Sequence, residues 1–111
     1  MRDWDEVAAY ALTLPGTELS TSYRQPAVKV RGKLICSTGH EDGSFHVIAS
    51  HEAKALLLET DPATFWQTPH YEGWAGLLVR YGAGDDDRIR RVIAWWDRAT
   101  KAQREAFGAR P

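Results

Sequence analysis

This chain is short of the features by which catalytic, metal-binding and membrane proteins are recognised, and each shortage excludes something. One cysteine, Cys36, in 111 residues cannot form an internal disulfide, so nothing points to an oxidising compartment. Neither charge is in surplus, because 14 Lys and Arg against 15 Asp and Glu give a formal net charge of -1. Coating nucleic acid by bulk charge needs a strongly basic domain, so any such contact must use a local patch. No apolar run approaches the ~20 residues of a membrane span. Arg2, Asp3, Asp5 and Glu6 interrupt the start where a secretory signal would be apolar, and a cytoplasmic location is the expectation. Gly82-Ala83-Gly84 lacks the lysine and hydroxyl residue of a phosphate loop. Ser20, Ser22, Ser37, Ser44 and Ser50 occupy no G-x-S-x-G elbow, and Cys36 sits in an apolar strand where a thiol is inert. His40, His46, His51 and His70 show no HExxH spacing and are expected in surface turns, although His46 and His70 are a candidate meeting in space. No enzyme, cofactor or metal site is expected.

What is present is a sequence of clear local signals. A length of 111 residues suits one domain over 1–111, with a core that needs no staple. Asp3 and Glu6 have capping-box spacing, and Trp4, Val7, Ala8, Ala11 and Leu14 share a helical face that Pro15-Gly16 ends. From Thr21 to Ala49 the period changes to two. Val28 and Val30 alternate with Lys29 and Arg31, Gly32 makes a turn, and Leu34, Ile35 and Cys36 return as the second strand of a hairpin. After a polar turn at Gly39 to Gly43, the strand of Phe45, Val47 and Ile48 completes an antiparallel meander. Ser50 caps a short helix with Ala53, Leu56 and Leu57 as its apolar face, stopped by Asp61-Pro62. An irregular aromatic segment over 63–76 leads into a last strand, Leu77 to Tyr81. Asp85, Asp86 and Asp87 open the longest helix at its positive dipole end, with Ile89, Val92, Ile93, Trp96 and Phe107 as its buried stripe.

The ordered combination of the Leu14-Pro15-Gly16 helix end, the run Ala27 to Leu34, the Trp74-containing strand entry and the final helix resembles the MmcQ/YjbR proteins. That resemblance implies an α+β domain of CyaY-like (frataxin-like) fold, an antiparallel sheet flanked by N-terminal and C-terminal helices. It also implies the double-wing mode of DNA binding proposed for that family. Trp95-Trp96-Asp97-Arg98 replaces a Ser-Tyr pair often found there, and only Asp3, Asp5 and Glu6 stand where frataxins carry an acidic iron-binding ridge. An iron role is therefore not expected.

Two constellations carry candidate functions. Arg24, Lys29, Arg31 and Lys33 form a basic stretch without an acid, in which alternation sends Lys29 and Arg31 to the face opposite Val28 and Val30. With Arg80 they are the candidate DNA contacts. If the four hairpin charges neutralised phosphates, log affinity would fall with log salt at a slope of roughly -3.6. A solvated hairpin whose lysines protect a sheet edge explains the same residues. Trp66, Tyr71 and Trp74, with Phe65, are the candidate stacking or ligand contacts, and the same rings also suit an irregular loop pinned onto the sheet. Of Trp95 and Trp96, about 100° apart on a helix, only one can face the core. The leading expectation is weak, salt-sensitive DNA binding without catalysis. Its alternative is a protein-interaction or small-ligand module built on exposed aromatic side chains.

Overall fold

In the computed structural model, which describes residues 1–14, 16–39 and 43–93, the first helix starts where its cap dictates. The Asp3 carboxylate accepts from the Glu6 N–H at 3.0 Å and helix α1 spans Trp4–Ala11. The capping box closes differently from its usual form: the Glu6 carboxylate accepts from the Arg2 N–H at 2.8 Å and from Arg2 Nε at 3.2 Å. Those two bonds hold its pKa below the ordinary carboxylate value.

Strands β1 (Thr17–Ser22), β2 (Gln25–Val30), β3 (Lys33–Thr38) and β4 (Ser44–Ile48) form the expected antiparallel meander. Helix α2 (His51–Thr60), capped by Ser50, follows. Then come β5 (Phe65–Trp66), a 3-10 turn at Pro69–Tyr71, β6 (Gly76–Arg80) and α3 (Asp86–Ile93). The meander stops at β4, for β6 pairs with β4 and β5 lies outside it, giving the order β1-β2-β3-β4-β6-β5. Strand β1 begins four residues before the alternating pattern does, because Thr17–Ser22 contains Leu19 as its only apolar side chain. The β1–β2 and β2–β3 hairpins turn on Tyr23-Arg24 (φ 49° and 66°) and Arg31-Gly32 (φ 52° and 77°). Positive φ at both central residues is the turn geometry that matches strand twist.

Register explains how an apolar run of three fits a period of two. Val28 faces Cys36 but Lys29 faces Leu34, so β3 carries one extra residue. Ile35 and Cys36 consequently both enter the core while Leu34 turns to the other face. The core lies on one side of the sheet, where the row Val28, Cys36, Val47 and Leu77 and the row Phe45, Val79 and Phe65 meet the buried faces of α1 and α3. On α2 the buried residues are Lys54 and Leu57, and Leu56 is 57% exposed rather than part of the apolar face. The helical stripe beyond Ile93, with Trp95, Trp96 and Phe107, lies outside the described residues.

Burial pushes the Cys36 thiol up to about 12, and burial with nearby Asp3 pushes the Tyr81 hydroxyl up to about 12. Both groups hold their protons more tightly folded than unfolded, so the stability they carry is complete below their ordinary values and is lost as pH climbs to about 12. Alkaline titration followed by circular dichroism should therefore show unfolding across that window, with Cys36→Val flattening the fall. An unchanged profile in the variant would contradict this origin.

Candidate functional site

The face of the sheet away from the core is where chemistry-bearing side chains gather. Ladder pairing carries one row across all six strands: Ser20, Ala27, Ser37, His46, Leu78 and Trp66. His46 therefore stands in mid-strand between Phe45 and Val47, whose side chains go to the core, and not in a surface turn as its sequence suggested. Over this row folds the aromatic segment. The Tyr71 hydroxyl lies 2.8 Å from His46 Nε2 and the rings meet edge to face at 4.8 Å, while Trp74 sets its ring against Tyr71 at 6.1 Å. A Cβ at Gly39 would overlap the His46 ring, so glycine is what allows the imidazole to lie against this turn.

Between the sheet and these rings is a cleft of about 350 Å3, within the usual range for small-molecule sites. Leu34 and Ile48 contribute apolar surface, and Ser37, His46 and Gln25 contribute polar groups, with Gln25 Oε1 accepting from the Thr38 hydroxyl at 3.0 Å. Among the described residues no charged side chain lines it. Tyr23 and Trp74 stand at its rim, 82% and 49% exposed. Tyr23 holds its ring there from a left-handed backbone position that glycine or asparagine would occupy more easily.

A residue that sequence reasoning passed over holds the aromatic wall in place. Lys54 is only 6% exposed, and its ammonium donates to the Tyr71 carbonyl at 2.7 Å and the Trp74 carbonyl at 2.8 Å. Burial lowers its pKa, against the opposing pull of Glu72. Because the same cation ties two carbonyls three residues apart, the loop carrying Tyr71 and Trp74 has one anchor in α2.

The residues expected to contact DNA are spread apart. Arg24 occupies the β1–β2 turn, whereas Arg31 and Lys33 lie at the other end of β2, roughly 20 Å away at the rise of a strand. Arg31 leaves the alternation, since it is in the turn and not the strand. Lys29 is half-buried and stands directly opposite Glu18 of β1, an acid interleaved with the bases. Arg80 is engaged elsewhere: it donates to the carbonyls of Pro62 and Ala63 at 2.9 and 3.1 Å, with its guanidinium 5.0 Å from the Trp66 ring centre. Trp66 itself donates to Ser44 Oγ at 3.0 Å and stays outside the cleft, so of the three aromatic candidates Tyr71 and Trp74 reach it. Cys36 is fully buried. Among the described residues no three His, Cys, Asp or Glu side chains are placed to hold a metal, and no helix is long and apolar enough to cross a membrane. His40, Glu41, Asp42 and the His70 side chain lie outside what is described.

Comparison with known proteins agrees with this architecture. The chain is 24% identical over 124 residues to the uncharacterised proteins Rv2570 of Mycobacterium tuberculosis and Mb2600 of Mycobacterium bovis, with 96% of each chain covered. Its fold is similar to the crystal structure of Deinococcus radiodurans protein DR2400, of family-model domain DUF419, at a TM-score of 0.73 and 15% identity over 97% of this chain and 89% of that one. The family model YjbR matches residues 12–95, and the chain belongs to the YjbR family.

Proposed function

We propose that the chain is a non-enzymatic binding module that takes a small, uncharged, largely apolar ligand in the cleft on the face of the sheet away from the core. The observation that carries this reading is a cleft of about 350 Å3 with aromatic walls, a few inward polar groups and no charged side chain among its described lining. From the described lining an ion would lose its hydration without gaining a counter-charge, whereas a neutral ring system loses little and gains apolar contact. Titration with the neutral fluorescent probe N-phenyl-1-naphthylamine, at salt high enough to abolish phosphate contacts, should show saturable binding with a change in tryptophan emission. Ser37→Leu, which extends a side chain into the cleft, should weaken it roughly tenfold or more, equivalent to about 1.4 kcal/mol. Reversing the charges of Lys29, Arg31 and Lys33 should leave it unchanged. A wild-type chain that does not bind the probe, or a Ser37→Leu variant that binds as well as wild type, contradicts the proposal.

A second reading, weak duplex DNA binding through the hairpin, draws on the exposure of Arg31 and Lys33 at one tip. Two phosphate contacts rather than four give a salt slope of roughly -1.8. A titration at two salt concentrations tests it, and equal affinity in the charge-reversal variant would dispose of it.

A further inference from the structure

We infer that strand β1 is the interface for a second copy of this chain, joined edge to edge. Strand β1 is one border of the sheet, and among the described residues nothing pairs with its outer side. The opposite border is β5, a strand of two residues, which is short enough to offer little to a partner. Strand β1 is different. It runs six residues in unbroken register with β2, and its sequence Thr-Glu-Leu-Ser-Thr-Ser has no proline, no lysine and a single charge. Lysine, proline, bulges and brevity are among the means by which edges are kept from pairing, and β1 has none of these four.

The occupant follows from the pattern of side chains. Leu19 lies opposite Val28, so it points to the core side of the sheet, yet it is 65% exposed at the border. An antiparallel pairing centred on Leu19 sets Leu19 against its symmetry mate and covers both. The same register puts Glu18 opposite Ser20 and Thr17 opposite Thr21, so no like charges meet. The two-fold axis of such a pair is perpendicular to the sheet. It therefore keeps α1 and α3 of both copies on one side and both clefts on the other, in a continuous sheet of six strands from each copy. A strand with one apolar side chain and one acid has little with which to select an unrelated peptide, but it is complementary to itself.

Sedimentation velocity over a dilution series tests this. The wild-type chain should show a concentration-dependent species at twice the 12.5 kDa chain mass. Leu19→Lys and Leu19→Glu, each at an exposed position that leaves the core intact, should each raise the dimer dissociation constant about tenfold or more. Mixing the two variants should restore association, because opposite charges then meet across the axis. A wild-type chain monomeric at every concentration, a dimer indifferent to Leu19→Lys, or no recovery on mixing overturns the inference.

Discussion

Replacing Lys54 with methionine should lower the unfolding free energy by about 2 kcal/mol and the melting temperature by roughly 8 °C. The side chain keeps most of its length and apolar stem, so the change is confined to the ammonium. Two carbonyls, of Tyr71 and Trp74, lose a charged donor. The Tyr71 carbonyl retains the Trp74 N–H at 3.1 Å, which limits its loss. Hydrogen bonds to charged groups contribute about 1.5–3 kcal/mol each, and the relief of burying an ammonium offsets part of that. The functional consequence should exceed the thermodynamic one. With its anchor gone, the loop bearing Tyr71 and Trp74 no longer closes the cleft, so tryptophan emission shifts to the red and probe binding is lost. Thermal melts and emission spectra of the variant check this, and wild-type values in both would remove Lys54 from its role.

Two neighbouring substitutions in β4 should have opposite signatures. Phe45→Ala should cost about 3–5 kcal/mol, a large share of the stability of a domain this size, because it empties a fully buried ring site beside Tyr81, whose ring centre is 5.5 Å away. His46→Ala, one residue on, should cost about 1 kcal/mol, the value of one hydrogen bond, and yet reduce probe binding roughly tenfold. Successive side chains on a strand point to opposite faces, so one face of β4 holds the fold and the other holds the cleft. Chemical denaturation of both variants, paired with probe titration, separates the two. If His46→Ala unfolds the chain while binding survives in Phe45→Ala, the assignment of faces is wrong.

Much of the fold was legible because its signals are local. The Asp3 and Ser50 caps, the Gly32 turn and the Val28 and Val30 alternation each act within a few residues, and all appear as their chemistry requires. Strand β1 was not legible, since Thr17–Ser22 forms a strand by pairing with β2 and not by its own periodicity. The extra residue at Ile35 was hidden for a similar reason: a bulge is a property of two strands. Lys54 presents the sharper lesson. Its spacing to Leu57 puts it on the buried face of α2, but a lysine reads as solvent-facing unless its partners are known, and these are backbone carbonyls 17 and 20 residues away. Of the aromatic segment, Tyr71 and Trp74 line the cleft. The cleft they enclose depends on which sheet face the core occupies, and that is decided only when the whole sheet is assembled.

Mapping the probe onto the folded chain tests the ligand cleft most directly. In a titration of isotopically labelled protein with N-phenyl-1-naphthylamine at high salt, followed by amide and side-chain resonances, the largest shifts should fall on Ser37, Gly39, His46, Tyr71 and the Trp74 indole, with Arg31 and Lys33 unmoved. Shifts centred on the hairpin tip, on the groove between α2 and α3, or on no region at all would contradict the account.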